Sequence, residues 1–279
     1  MTLPDAGIDF SKFGYRFDRE KPEVLLATAT PMPEGLMRNF SAPEEIDPRP
    51  WHRIEMQGSM GSCQGHALSS VCELAYHIAT GKVIQFSPLF AYYATQQLDG
   101  LLGRDVGSTI EGGARLAKQH GLCPLEAMPY PNPVRYTGRI PASAWPAAEP
   151  FKIRSHAVCR SYVDVYEYLA TGQGGVEIGI AWSSSLEPVR GVIEQYRPGR
   201  GGHAVALLGY SRRKDSQGRK YLWLANSWDT SWGNSGWAEV APRAIEQMLA
   251  HPHTVMIGLS DLTVPTPRVV DFSALNSMA

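Results

Sequence analysis

The chain has almost no excess of charge. Its 26 basic and 27 acidic residues leave a net charge of −1, so it has no basic field for a phosphate backbone, and a nucleic-acid partner is not expected. It has no apolar run of the roughly 18 residues that a spanning helix needs, so no membrane span is expected either. The N-terminal stretch lacks the basic-then-apolar order of a secretory signal. Cysteine is sparse. Cys63, Cys72, Cys123 and Cys159 are spaced irregularly, with no CxxC pair, which argues against a zinc module. If one of them is a nucleophile, the odd number left over argues against a complete disulfide framework. A reducing, cytoplasmic setting fits. Internal repeats and low-complexity runs are missing, and His251 and His253 are too isolated in a loop to suggest a metal. No metal and no cofactor are expected.

Proline is abundant, and its placement divides the chain. Residues 1–50 carry Pro4, Pro22, Pro31, Pro33, Pro43, Pro48 and Pro50 without a sustained period. This predicts an extended arm that wraps its own domain or a protein partner, with apolar clusters at Phe10-Phe13-Tyr15 and Val24-Leu25-Leu26. Residues 51–150 read as helical. One helix runs from the Cys63 region to Gly81, one opens at Ser87-Pro88, and one runs from about Thr109 to Gly121 before a proline-rich connection. Residues 151–262 read as strand-rich, at Lys152–Val158, Val176–Trp182, Ala204–Tyr210, Tyr221–Ala225 and Trp237–Val240. A helix over Tyr162–Ala170 and a charged hairpin tip over Arg212–Lys220 interrupt them. Residues 263–279 form a second short tail, also open to a partner. A helical half followed by a sheet half predicts an α+β protein with a cleft between two subdomains.

Three segments carry chemistry. Gln57-Gly58-Ser59-Met60-Gly61-Ser62-Cys63 is a glycine-broken turn running into an amphipathic helix, so Cys63 falls in the first turn. Free N–H groups and the helix dipole stabilise a thiolate there. Gly201-Gly202-His203 puts an imidazole at the mouth of an apolar strand, and the glycines leave room for another backbone or a ligand. Asn226-Ser227-Trp228 follows another strand, with Trp228 and Trp232 able to shield a polar pair from water. A cysteine nucleophile needs an imidazole to take and return its proton, and the imidazole needs a third group to orient it.

These segments, in this order, resemble the papain family of cysteine peptidases over about Trp51 to Leu262. The spacing from Cys63 to His203 is the family's, and Asn226 lies slightly further on, an overshoot that the charged hairpin tip accounts for. The resemblance implies a papain-like two-subdomain fold and hydrolysis of peptide or isopeptide bonds in a protein or peptide substrate. It implies Cys63 as nucleophile, His203 as base and acid, and Asn226 as orienting residue under Trp228. Gln57 would be an oxyanion donor beside the Cys63 N–H. On the substrate side it points to Trp228 and Trp232. By register from Gly121 it also points to Gly107 and Ser108, where a plain loop with a helix cap at Ser108 is an alternative. Three departures stand out. Met60 occupies the place of a disulfide cysteine, Gln64 that of an aromatic residue after the nucleophile, and Asp229 that of a glycine. With no long charged propeptide helix visible, the chain looks like the intracellular bacterial or viral branch, cytoplasmic or virion-associated. A structural or adaptor protein on the same fold is the alternative function, and the arm could itself lie over the cleft.

Other residues carry plainer expectations. His66, one turn from Cys63 on the same helix, points along the helix and is a poor base. His156 is expected in a strand. Cys72, Cys123 and Cys159 are expected to be structural.

Overall fold

The structure is a computed structural model that describes residues 13–30 and 41–262. The C-terminal tail, residues 263–279, lies outside these. A short helix α1 (Pro22–Thr28) precedes the helical half, which holds α2 (Cys63–Thr80), α3 (Pro88–Asp99), α4 (Ile110–Gln119) and α5 (Ala144–Ala148). The helix boundaries follow from local chemistry. Gly81 stops α2 in the left-handed conformation at φ 68°. Ser87 caps α3 by accepting from the Phe90 N–H, with Pro88 in the first turn. Thr109, not Ser108, caps α4 by accepting from the Gly112 N–H.

The second half is one seven-stranded sheet in the order β1-β7-β2-β4-β5-β6-β3. Its strands are β1 (Ile153–Val158), β2 (Val176–Trp182), β3 (Val192–Ile193), β4 (Gly201–Lys214), β5 (Lys220–Ala225), β6 (Trp237–Val240) and β7 (Val255–Leu262). Helices α6 (Tyr162–Ala170) and α7 (Pro242–Leu249) pack with it. The α+β expectation holds, helical first and strand-rich second. β4 is longer than its apolar run because the hairpin pairing continues to Lys214 opposite Lys220. The register sets the site: Ile180 on β2 stands opposite His203, and Ala206 on β4 stands opposite Ala225, so His203 and Asn226 emerge at the same end of neighbouring strands.

α2 is the spine between the two halves, and Val71, Cys72, Leu68 and Leu74 are buried along it. All four cysteines are buried, unpaired thiols. The described parts of the N-terminal stretch lie on the body. Ile46 pairs with Tyr210, and Tyr15 bridges to Ser108 while its N–H donates to the Gly202 carbonyl.

The crossing of α2 and α3 is closest at Gly65, where an added Cβ would run into the Pro88 carbonyl and come within 2.8 Å of the Tyr92 nitrogen. Gly65→Ala is therefore expected to cost about 1–3 kcal/mol, read as a lower urea midpoint at unchanged slope. Gly81→Ala, with open space around it, should cost about 1 kcal/mol from backbone conformation alone.

Candidate active site

The turn before Cys63 is fixed from below and from the side. Ser62 Oγ meets Tyr130 Oη at 2.6 Å, and that hydroxyl donates to the Gln57 carbonyl at 2.9 Å. Gly61 donates its N–H to Asp105 Oδ1, which also accepts from Tyr92 Oη. Across the cleft, Gln57 N–H donates to the Ser227 carbonyl at 2.9 Å, and Ser227 Oγ donates to Gln57 Oε1 at 2.7 Å. The Gln57 side chain is thus held beside both the nucleophile turn and the Asn226 strand end. Its Nε2 donates to the Met60 carbonyl at 2.9 Å.

His203 and Asn226 are in direct contact. Nε2 of His203 lies 2.8 Å from Asn226 Oδ1, which also accepts the Ser227 N–H at 2.8 Å. The His203 ring is fully buried in an aromatic box, with Trp228 at 4.6 Å and Trp182 edge-on at 4.8 Å between centroids. Such a wall keeps water off the His–Asn hydrogen bond and strengthens it. Trp232 is one ring further out. It stands 6.4 Å from Trp228 and donates its N–H to Glu187. Asp229 sits at φ 72°, a conformation that suits the glycine of the family pattern.

Cys63 starts α2 and is fully buried. Burial pushes its thiol up to about 11, against hydrogen bonds from the backbone of Ala204, Gly14 and Gln64. Gly14 belongs to the N-terminal stretch, and its neighbours fill the cleft. Gly14 carbonyl accepts from Ser108 N–H at 2.8 Å, Ser108 carbonyl accepts from Arg16 N–H at 2.9 Å, and Gly202 carbonyl accepts from Tyr15 N–H at 2.9 Å. Phe13 packs against His203 and Trp228, and Phe17 stacks on His253 at 4.5 Å. The Tyr15 ring lies over Gly179, where an added Cβ would meet it at 2.5 Å. The space beside Gly201 and Gly202 is taken by Phe13 and Tyr15. Gly107 turns its N–H to Tyr92 Oη and its carbonyl to Gln96 Nε2, so the backbone contacts fall on Ser108 alone. Tyr15 runs parallel to Ser108, and the residue before it, Gly14, hydrogen-bonds the Cys63 sulfur through its backbone.

Two features went unread in the sequence. Gln64, in the place of an aromatic residue, has both ends of its amide engaged. Its Nε2 donates to Glu177 Oε1 at 3.1 Å and its Oε1 accepts from Ser108 Oγ at 3.0 Å. Burial holds the Glu177 carboxyl well above the carboxylate range. Glu20, on the same stretch as Tyr15, accepts the Ile110 and Glu111 N–H groups at 2.8 Å each. This clasps the start of α4. The acidic residue at Glu20 is the only sequence signal for that clasp. Among the described residues there is no group of three or more side chains suited to a metal and no helix long and apolar enough to cross a membrane.

A sequence model described as papain family cysteine protease matches residues 42–254. Among curated proteins, fruit bromelain of Ananas comosus is 26% identical over 73% of this chain and 56% of its own length. Peptidase 1 of Dermatophagoides pteronyssinus is 28% identical over 78% of this chain and 68% of its own length. This chain thus spans little more than half of the first and about two thirds of the second. Among solved structures, xylellain, a cysteine protease from Xylella fastidiosa, superposes with TM-score 0.70 at 19% identity, over 90% of this chain and 97% of that one.

The seated stretch yields two expectations. An added Cβ at Gly14 would collide with the Gly61 carbonyl. Gly14→Ala should therefore dislodge residues 13–20 and shift iodoacetamide labelling of Cys63 to lower pH than in the wild-type chain. Unchanged labelling would show that the stretch does not set the thiol's state. Burial lifts Glu20 from its ordinary 4.5 to about 7, so the seated form binds the proton more tightly than the released form. Seating should then weaken as pH rises from about 4.5 through about 7, seen as a fall in the protection of the residue 13–20 amides relative to their intrinsic exchange at each pH. The trend should flatten in Glu20→Gln.

Proposed function

The chain belongs to the papain family of cysteine proteases, thiol hydrolases that cut within polypeptides, and from that premise we propose that it cleaves peptide or isopeptide bonds of a protein substrate through an acyl-enzyme on Cys63. One observation carries the reading. The Nε2–H of His203 is committed to Asn226 under Trp228, on the strand whose next residue, Ala204, hydrogen-bonds Cys63 through its backbone.

With Nε2–H donated, His203 exchanges the reaction's proton through Nδ1. His203 Nδ1 takes the Cys63 thiol proton, the thiolate so formed adds to the scissile carbonyl, and the Cys63 N–H at the start of α2 and Gln57 Nε2 receive the oxyanion. His203 protonates the leaving amine, and the acyl-thioester forms. His203 then takes a proton from water, which attacks the thioester and frees the acid and the thiol. Asn226 holds the imidazole plane throughout. An extended substrate backbone uses Ser108 and the Gly202 carbonyl, the groups that now hold residues 14–16. Trp228 walls the leaving-group side, with Trp232 behind it. The seated N-terminal stretch is a resting state, and turnover requires its displacement. The pocket under Tyr15, floored by Gly179, then receives a large substrate side chain.

In full-length protein carrying Gly14→Ala, Cys63→Ala and His203→Ala should each lower kcat/KM on a peptide substrate by roughly a thousandfold or more. Asn226→Ala should lower it by roughly 10- to 100-fold through misorientation, with unchanged melting temperatures. Equal activity in all three variants would sink the mechanism.

A further inference from the structure

His66 takes no part in the reaction above, yet it is buried one helical turn from Cys63. Its Nδ1 lies 3.0 Å from Glu55 Oε2, and the Tyr130 ring packs edge-on at 4.9 Å. Glu55 is itself anchored beside the Asn226 segment, since its carbonyl accepts the Asp229 N–H and the next residue, Met56, bridges to Trp228. An ionised carboxylate only accepts hydrogen bonds. His66 therefore carries its proton on Nδ1, and Nε2 keeps a lone pair.

That Nε2 is buried without a hydrogen-bond partner among the described residues, and so is Nδ2 of Asn226. The orientation of the Asn226 amide is set by its other end, because Oδ1 accepts from both His203 and Ser227. Nδ2, with two protons to donate, faces away from His203. Both side chains line one small cavity of about 10 Å³, with His52, Ser70 and Ala204, which is room for about one water. An orphan acceptor and an orphan donor at one cavity are complementary. Each alone would be a cost of burial.

We infer that His66, held by Glu55, is a positioning residue for the reaction: its Nε2 lone pair takes the outward N–H of Asn226, directly or through one water in the shared cavity, and so fixes the amide that orients His203. The inference rests on the roles proposed for His203 and Asn226. The relay runs from Glu55 through His66 and Asn226 to His203, and none of its members other than His203 exchanges a proton with substrate. Protonation of His66 turns Nε2 into a donor facing a donor and loosens Asn226. The ionisable groups around the ring are Glu55, Tyr130 and His52, whose Nδ1 is 3.1 Å from Glu73 Oε2 but off the hydrogen-bonding direction.

The test has two independent readouts. In full-length Cys63→Ala protein, the ¹⁵N shift of the Asn226 side-chain amide should titrate with the midpoint of the His66 ring, and it should be flat in His66→Gln. In full-length Gly14→Ala enzyme, His66→Leu should lower kcat by roughly 10- to 100-fold at unchanged KM. His66→Gln, whose side-chain oxygen can accept, should recover part of that loss. An Asn226 amide that ignores the His66 titration overturns the inference, and so does a folded His66→Leu enzyme with wild-type kcat. If the amide follows His66 while no variant turns over any peptide, the proposed reaction fails and the positioning link stands on the spectra.

Discussion

The whole site depends on the pair of hydrogen bonds between Gln57 and Ser227. One residue belongs to the turn that delivers Cys63 and the other to the strand end that delivers Asn226. Gln57 N–H to Ser227 carbonyl, and Ser227 Oγ to Gln57 Oε1, lock the two halves in register at the one point where nucleophile and imidazole must meet. Tyr130 adds a second tie, bonding both Ser62 and the Gln57 carbonyl. The Gln57–Ser227 side-chain contact is buried and those of Tyr130 are part-buried, so breaking the first leaves unsatisfied groups in a low-dielectric setting. Relative motion of the two walls is therefore costly at the reacting centre. In the outer cleft, Ser108 and Gly202 hold the backbone of residues 14–16.

Occupation of that cleft has an electrostatic consequence. The helix start and the neighbouring amides, that of Gly14 among them, favour a thiolate at Cys63, but complete burial outweighs them and pushes the thiol up to about 11. Seating of residues 13–20 blocks access to Cys63 and adds to the burial that raises its thiol. The seated backbone of Gly14 hydrogen-bonds the sulfur, and the Gly14 carbonyl accepts from the Ser108 N–H. Glu20 at the start of α4 adds a hold whose strength depends on its proton.

Much of this was legible in the chain because it was written locally. Capping residues and stop glycines marked α2, α3 and α4, and the spans of α6, β2 and β6 coincide with their sequence patterns. β7 and α7 were not anticipated. Val255–Leu262 follows a histidine-proline loop and contains Gly258, Ser260 and Asp261, which weaken a strand pattern that only pairing with β1 and β2 makes good. The seating of residues 13–20 is likewise a tertiary fact. Phe13 and Tyr15 showed as an apolar cluster, but their receptors are glycines on distant strands, and absent side chains leave no periodic signal. Ser108 was reached by register from Gly121, whereas its tie to Gln64 needed the fold. His66 was set aside as a base on helix geometry, and that geometry instead points the ring at the far side of Asn226.

The departures from the family pattern make sense as matched sets. An aromatic ring at position 64 would fill space between α2 and the sheet by packing alone. Gln64 fills it with a two-ended amide, which requires an acceptor on one side and a donor on the other. Glu177 and Ser108 supply them, and Gly113 leaves the room, since an added Cβ there would run into Gln64 Nε2. The exchange ties the residue after the nucleophile directly to Ser108, the residue that grips a peptide backbone. It also places the buried Glu177 carboxyl behind the cleft floor. An apolar residue at 64 would strip Glu177 and Ser108 of their partners together, so the three positions constrain one another. Replacing Gln64 alone with the family's aromatic would break the set rather than restore the pattern.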